Sequence, residues 1–192
     1  EEVIEQVNRD RMFYERSGGG ITISGGEPTL QPEFTTALLR LAEEKGLNRA
    51  VDSCGFVAWE VAAPIYELAD LVLYDLKAID ADLHTKLTGV SNEGVLSNFR
   101  RLFDIEDGPE VWVRFPVIPD CTDSDENVEQ MATFLGDYSN NPRLGKVELM
   151  PYHRLAESKY EQFGKEYALS GTEPPSTDRL DAIKAVFSSH GI

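Results

Sequence analysis

Residues 18–34 read GGGITISGGEPTLQPEF, and this stretch decides how the rest of the chain is interpreted. The β-branched run at Gly20–Ser24 predicts a buried strand, and Gly25-Gly26 directly after it predicts a turn. Apolar residues then recur at helical spacing over Gln31–Lys45, which predicts a helix. A strand, a glycine turn and a helix in this order begin a β/α unit.

The same alternation continues along the chain. Further strands are predicted at Arg49–Ser53, Leu71–Asp75, Val111–Val117 and Lys146–Met150. Further helices are predicted at Glu1–Arg16, Ala58–Leu68, Glu93–Asp104, Ser124–Leu135 and Thr177–Ser188. Strict alternation predicts an α/β fold with a parallel sheet, either doubly wound or a whole or partial barrel. In both folds, ligands bind beyond the carboxyl ends of the strands.

The composition of the chain limits what it binds. Its 192 residues predict one domain over 1–192. A net charge of −16, from 34 acidic and 18 basic residues, argues against a nucleic-acid partner. No apolar run approaches the roughly 20 residues of a membrane helix, so we expect no membrane partner. Two cysteines supply neither a disulfide framework nor the thiolates of an iron–sulfur or zinc site, so we expect no iron site.

Polar residues end every predicted strand. The five ends are Ser24-Gly25-Gly26-Glu27, Asp52-Ser53-Cys54-Gly55, Asp75-Leu76-Lys77, Arg114-Phe115-Pro116 and Pro151-Tyr152-His153. Because the carboxyl ends of parallel strands meet at one edge of a sheet, we expect these groups to line one pocket.

Each charged residue at these ends has more than one interpretation. Glu27 suits an ammonium group, or it is a solvated residue in a plain turn. Asp52 and Asp75 repel each other unless an amine, a ribose diol or a metal ion lies between them, and either one is also a candidate helix cap. Lys77 and Arg114 suit a ligand carboxylate or the neighbouring acids.

Among the histidines and cysteines, only His153 is a candidate for a ligand contact. His153, directly after the last strand, suits a pocket contact as well as a structural hydrogen bond. His84 and His190 are predicted at the surface. Cys54 and Cys121 are predicted to be small apolar residues rather than nucleophiles, because no histidine lies near them in the sequence.

Taken in order, the motifs of this chain resemble those of the radical S-adenosylmethionine (SAM) superfamily. They are GGGITISGGEPTLQPEF, DSCG, LYDLK, TGVSNEGVL, VRFPVIPDCTDSDEN and ELMPYHRLAESKYEQFGKEY. Within the superfamily the chain is similar to glycyl-radical-enzyme activases of the pyruvate formate-lyase activating enzyme group, from Phe13 to the C-terminus. DRMFYERSGGG and the cysteine of DSCG are more similar to activases that carry a ferredoxin-like insert.

The resemblance implies a SAM site and assigns roles within it. The motif that receives the methionyl amino group matches Gly25, Gly26 and Glu27. The next strand end, beside the methionyl moiety, matches Asp52, Ser53 and Gly55.

The remaining roles fall on the later strand ends. Asp75 and Lys77 match a DLK motif in the same pocket. Arg114 matches a residue that reaches toward the SAM carboxylate or ribose, and His153 matches a histidine near the ribose and the substrate. Asp52 and Asp75 also fit a monovalent cation held against the SAM carboxylate.

The resemblance also implies a reaction. In such enzymes a [4Fe–4S] cluster donates an electron to SAM, and cleavage yields methionine and a 5′-deoxyadenosyl radical. The radical takes a hydrogen atom from a glycine of a partner glycyl radical enzyme. This implies a cytoplasmic oxidoreductase of anaerobic metabolism with an electron donor such as flavodoxin or ferredoxin.

The chain departs from the family because it has no CxxxCxxC cluster motif. We therefore expect a C-terminal piece of an activase, a partial TIM-like barrel of about five β/α units that lacks the first strand and the cluster loop. We expect it to carry most of the SAM pocket, to bind no cluster and to be inactive alone, so no catalytic residue is assigned. An exposed sheet edge would favour pairing with a second copy.

Two alternatives stay open at this point. One is a cluster-free module that binds SAM or the partner enzyme. The other is an unrelated β/α-barrel hydrolase or isomerase that uses Asp52, Asp75 and Lys77 as acid–base groups.

Overall fold

A parallel five-stranded sheet forms the centre of the protein, in a computed structural model that describes residues 1–154, 164 and 167–192. Its strands are β1 (Gly20–Ile23), β2 (Asn48–Ser53), β3 (Leu71–Asp75), β4 (Glu110–Val117) and β5 (Leu144–Pro151). They lie side by side in the order β1-β2-β3-β4-β5. A doubly wound sheet reverses its strand order near the middle, and this sheet does not. The α/β prediction is therefore confirmed, and the partial barrel is the correct alternative.

Two helices precede β1, and the others follow the strands in sequence. They are α1 (Glu2–Asn8), α2 (Arg11–Ser17), α3 (Pro32–Glu44), α4 (Trp59–Tyr66), α5 (Ala81–Thr88), α6 (Glu93–Leu102), α7 (Asp125–Gly136) and α8 (Thr177–Ser189), with a short 3₁₀ turn at Pro28–Leu30. The helical stretch predicted over Glu1–Arg16 is helical in the structure, but as two helices rather than one. It breaks at Arg9-Asp10, because the Asp10 carbonyl accepts from the amide of Phe13 and begins a second helix.

The two faces of the sheet differ in what covers them. In β4, Val111, Val113, Phe115 and Val117 are buried, whereas the alternate residues, Arg114 among them, are half-buried. The buried face packs on the helices and forms one apolar core with residues such as Leu39, Val51, Ile65, Val72, Phe99 and Leu135. The sheet is thus closed on one face and more open on the other.

Strand periodicity places the acids and the arginine on the open face. Successive side chains of a strand point to opposite faces. Val51 and Ser53 lie on the helix side of β2, so Asp52 between them lies on the open side. Asp75 is paired in register with Arg114, which brings their side chains together at the carboxyl end of the sheet.

The sheet has two edge strands in the described part of the chain, β1 and β5. Pairing of an edge with a second copy stays a prediction. Among the described residues, no helix combines the length and the apolar character that a membrane span requires.

Candidate functional site

A chain of polar contacts crosses the carboxyl ends of four strands. Arg114 Nη1 lies 2.8 Å from Asp52 Oδ2, and Arg114 Nε lies 3.8 Å from Asp75 Oδ1. Lys77 Nζ approaches Asp75 Oδ2 at 3.6 Å, and the Ser24 hydroxyl donates to Asp52 Oδ2 at 2.9 Å. The predicted meeting of Asp52, Asp75, Lys77 and Arg114 in one place is confirmed. The guanidinium provides the cation that the two facing carboxylates require.

Among these contacting side chains, Asp75 is the one whose negative charge is least neutralised by its neighbours. Burial is the strongest influence on its pKa and raises it, and the nearby charge of Asp52 raises it further. Lys77 and Arg114 lower the pKa but do not outweigh these two effects. Both cations stand farther away than a direct hydrogen bond reaches. A ligand that brings a donor or a positive group to Asp75 would therefore be stabilised here.

Glu27 holds the ends of β1 and β2 together. Its Oε1 accepts from the Ser53 hydroxyl at 2.9 Å, from the Thr29 hydroxyl at 2.7 Å and from the Thr29 amide at 3.2 Å. Its Oε2 accepts from the Cys54 amide at 2.8 Å. Burial raises the pKa of Glu27, but hydrogen bonds from Cys54, Thr29 and Ser53 together lower it, so the carboxylate stays ionised. An ionised acid thus stands at the site with its position fixed by protein donors.

Gly25 and Gly26 leave the backbone beside Glu27 open. Gly25 has φ +135°, a conformation that side chains rarely adopt. A Cβ added to either glycine would meet no atom within 4 Å. The open space at Gly26 is therefore available for a ligand to approach the backbone.

Ser53 and Gly55 lie at the end of β2, beside Glu27. The Ser53 hydroxyl is buried between Glu27 and Tyr66, with the Tyr66 hydroxyl 3.0 Å away. A Cβ on Gly55 would stand 1.8 Å from the Tyr74 hydroxyl, so this glycine permits close packing. Direct contact of either residue with a ligand stays a prediction.

His153 lies just past β5 and is exposed. Among the described residues it makes no hydrogen bond or ion pair with Asp52, Asp75 or Arg114, and its predicted role stays untested. Residues 155–163 and 165–166 of the last motif lie outside the described part of the chain.

The prediction that His84 lies at the surface is wrong. Its side chain is 5% exposed, and its Nδ1 lies 2.9 Å from the Val90 carbonyl oxygen and 3.1 Å from the Thr88 hydroxyl. The ring closes the turn after α5. The threonine four residues later on the same helix face was the available signal.

The two cysteines are half-buried and make no disulfide. Burial is the strongest influence on the pKa of both Cys54 and Cys121 and raises it. A raised pKa disfavours the thiolate, the form that attacks substrates and binds metals. This agrees with the prediction that neither is a nucleophile.

Sequence reasoning missed the buried polar residues that support the site. Tyr66 holds Ser53, while Asn92, Asn98 and Asn127 bind backbone carbonyls of the strand-end loops. The available signal was a polar residue among apolar ones in a helical stretch. Such residues are buried only when they are hydrogen-bonded.

Comparisons with known proteins give one consistent family. The model of the Radical SAM superfamily matches residues 1–135. The choline trimethylamine-lyase activating enzyme of Oleidesulfovibrio alaskensis is 37% identical over 184 residues, which are 96% of this chain and 59% of that protein. The pyruvate formate-lyase 1-activating enzyme of Escherichia coli K12 is 34% identical over 193 residues, covering 100% of this chain and 76% of that protein.

A solved structure is also similar. The crystal structure of a domain of pyruvate-formate lyase-activating enzyme from Bacteroides vulgatus has a TM-score of 0.72 and 28% identity, covering 91% of this chain and 96% of that one. Against its first relatives, by contrast, the chain spans about three fifths of their length.

Proposed function

The chain belongs to the radical SAM superfamily, and within it to the activating enzymes of glycyl radical enzymes; from this premise we propose that its open strand ends bind SAM for glycyl-radical activation. The observation that carries the proposal is the contact chain from Ser24 through Asp52, Arg114 and Asp75 to Lys77. It brings acids and cations together at the end of the sheet where a barrel binds its ligand.

The chemistry of SAM fits these groups. Its ammonium suits the backbone at Gly26 and the ionised Glu27. Its carboxylate suits Lys77 and Arg114, because a guanidinium has five N–H donors and its ion pairs with described residues involve only Nη1 and Nε. Donors of the ribose or ammonium suit Asp75, whose raised pKa marks an undercompensated acid.

The remaining predicted contacts complete the proposed pocket. His153 is proposed for the ribose side, and Asp52, Ser53, Gly25 and Gly55 for the methionyl side. A monovalent cation between Asp52 and Asp75 stays a prediction. In the described structure Arg114 already contacts both carboxylates.

The [4Fe–4S] cluster of this family supplies the electron that makes SAM a source of a hydrogen-abstracting radical. Cys54 and Cys121 do not fit its ligand set, because they follow different strands and burial raises the pKa of both thiols. We therefore propose that thiolates other than these two hold the cluster. The catalytic step is accordingly not assigned to residues of this chain.

The partner is proposed to be a glycyl radical enzyme that offers a glycine loop. The relatives are named for choline trimethylamine-lyase, trans-4-hydroxy-L-proline dehydratase and pyruvate formate-lyase. Members of the same family are thus named for different partner enzymes. The particular partner is not inferred. A flavodoxin or ferredoxin donor and a cytoplasmic setting are part of the same proposal.

Calorimetric titration of the chain with SAM tests the proposal. We expect saturable binding that is weaker than micromolar on this chain without iron, and that Lys77→Met weakens further because it removes a cation from the strand ends. Lys146→Met is the matched control, since Lys146 lies nearer the amino end of β5, in register with Trp112, and pairs with Glu148 rather than with Asp75. Equal affinity of both variants and the unaltered chain would contradict the assignment.

Iron analysis after anaerobic reconstitution tests the cluster statement separately. We expect no stoichiometric [4Fe–4S] cluster on this chain, and finding one would overturn it. SAM binding of micromolar strength without iron would favour the second candidate, a cluster-free binding module. The third candidate, an unrelated hydrolase or isomerase, is wrong because the family model covers residues 1–135.

A further inference from the structure

Three buried asparagines bind the backbone of the loops that carry the site. Asn92, Asn98 and Asn127 are 3%, 3% and 1% exposed. In each, the side-chain Nδ2 donates to two backbone carbonyls, and every one of those carbonyls belongs to a loop after β2, β3 or β4. We call these three residues the asparagine clamps. The same arrangement at three places indicates a shared purpose.

Asn98 clamps the loop after β2. It lies on α6, and its Nδ2 donates to the Gly55 carbonyl at 2.9 Å and to the Val57 carbonyl at 2.8 Å. This loop begins with Cys54, whose amide holds the carboxylate of Glu27. Asn98 therefore acts on Glu27 through the backbone of residues 54–57.

Asn92 clamps the loop after β3. It precedes α6 directly, and its Nδ2 donates to the Ile79 carbonyl at 2.7 Å and to the Ala78 carbonyl at 3.1 Å. From the same helix, the Val95 carbonyl accepts from the Tyr74 hydroxyl at 2.7 Å. The segment TGVSNEGVL, which the proposed function leaves without a role, thus ties α6 to the end of β3.

Asn127 joins two loops to one helix. Its Nδ2 donates to the Lys77 carbonyl at 3.1 Å and to the Thr122 carbonyl at 2.8 Å. Lys77 follows β3 and Thr122 follows β4, so one amide fixes the backbone of the pocket lysine relative to the next loop. Ser124 caps the same helix by accepting from the Asn127 amide.

An asparagine suits this task because its planar amide carries two N–H donors on one nitrogen. A leucine has the same branched outline but donates no hydrogen bond. At Asn98 it would leave the Val57 carbonyl without this donor, while the Gly55 carbonyl would keep its bond from the Val57 amide. A buried carbonyl without a partner is unfavourable, so the loop would move to find another. The asparagine clamps thus hold the backbone of the loops at a fixed distance from the helices.

We propose that Asn92, Asn98 and Asn127 are positioning residues for SAM, which they affect by holding the backbone of residues 54–57 and 77–79 in place. They touch carbonyls rather than the pocket itself, so they are not catalytic residues. The inference rests on the proposed function, because SAM is the ligand whose contacts these loops would place. Ligand contacts are sensitive to such placement, since a shift of about 1 Å can cost about 100-fold in activity.

The test is Asn98→Leu in the full chain, with two readouts. The first is the SAM dissociation constant from calorimetry, which we expect to rise by roughly 10-fold or more. The second is amide hydrogen exchange without ligand, which we expect to quicken in residues 54–57 and to stay unchanged at the amino ends of the strands. Unchanged SAM affinity would overturn the proposal, whether or not exchange in residues 54–57 changes.

Two controls separate positioning from general loss of stability. Asn141→Leu makes the same change near the amino end of β5, where the Asn141 side chain accepts from the Arg143 amide. Leu135→Ala removes buried apolar volume from α7. We expect both to lower thermal stability while the SAM affinity stays within about 2-fold. A loss of SAM affinity in these controls equal to that of Asn98→Leu would reduce the clamp to a stability effect and overturn the proposal.

The outcomes also distinguish this inference from the proposed function. If the unaltered chain binds no SAM, the proposed function fails, and hydrogen exchange alone decides whether the clamp holds its loop. If SAM binds and Asn98→Leu binds it equally well, the clamp fails and the function stands. Should Asn98→Leu not fold, Asn92→Leu with exchange measured in residues 77–79 answers the same question.

Discussion

The two ends of the sheet carry arginine–aspartate pairs of opposite design. At the amino end, Arg49 meets Asp70 through Nε at 2.9 Å and Nη2 at 2.7 Å, and its backbone amide donates to the same carboxylate at 2.8 Å. Glu43 adds a contact to Nη1 at 2.7 Å. At the carboxyl end, Arg114 has one close contact with Asp52 and a longer one with Asp75. The amino-end pair is held by several close contacts, whereas the carboxyl-end pair has one close contact and one longer one.

The pKa values of the two aspartates shift in opposite directions, lower for Asp70 and higher for Asp75. For Asp70, burial raises the pKa, but the hydrogen bonds and charge of Arg49 outweigh it and lower the pKa. For Asp75, burial also raises the pKa, and the cations do not outweigh it. At the amino end these residue types stabilise the fold, and at the carboxyl end we propose that they bind a ligand, since barrels place stability and function at opposite ends.

The largest expected effect comes from Arg114→Met. It removes a donor for the SAM carboxylate and leaves Asp52 and Asp75 facing each other without their shared cation. We expect SAM affinity to fall about 100-fold, or about 2.7 kcal/mol, in calorimetry. The free energy of unfolding should fall by no more than about 1 kcal/mol, because Arg114 has one close side-chain contact where Arg49 has three. Loss of stability without loss of affinity would make this pair as structural as the other.

Arg49→Met should show the reverse pattern. It leaves the Asp70 carboxylate without its partner, which we expect to lower the free energy of unfolding in urea by about 2 kcal/mol. This is less than for a fully buried pair, since the Asp70 side chain is 36% exposed. SAM affinity of the folded variant should stay within about 2-fold of the unaltered chain. A large loss of affinity would mean that the two ends are coupled.

The sequence predicted the functional end better than the structural end. Strand periodicity and glycine turns place Asp52 and Asp75 at strand ends, because both signals are local. The prediction that Arg114 ends its strand is wrong, since β4 runs on to Val117 and Arg114 lies level with the end of β3. The pairing of Arg49 with Asp70 depends on which strands become neighbours and in what register, and residues 21 positions apart carry no local sign of it.

The clamps and His84 escaped prediction for a related reason. An asparagine in a helix is ambiguous until the carbonyls that it meets are known, and those of Asn98 lie 41 and 43 residues away. His84 lies on a helix of eight residues, too short for apolar periodicity to show which face is buried.

Asp75→Asn and Asp70→Asn compare the two ends of the sheet through the pH dependence of stability. A folded-state pKa above the unfolded value means that stability is lost as pH rises from about 4 through the folded pKa. Removing the charge should therefore stabilise the protein at pH 7 and weaken SAM binding. Asp70→Asn should destabilise at pH 7 and approach the unaltered chain at lower pH, because the lowered pKa of Asp70 gives stability that disappears on protonation. Urea unfolding at a series of pH values measures both, and equal signs for the two variants at pH 7 would remove the distinction between the ends.

The smallest expected effect is that of Lys146→Met. This variant tests whether SAM contacts only the carboxyl ends of the strands or also the open face nearer their amino ends. Lys146 occupies the open side of β5, with its Nζ 3.9 Å from the centre of the Trp112 ring and 3.1 Å from Glu148 Oε1. These contacts are exposed, so we expect a stability loss of about 0.5 kcal/mol and no change in SAM affinity. If calorimetry gave a loss of affinity as large as that of Arg114→Met, the ligand would reach down the open face, and the contrast between the two ends would become a contrast between the two faces.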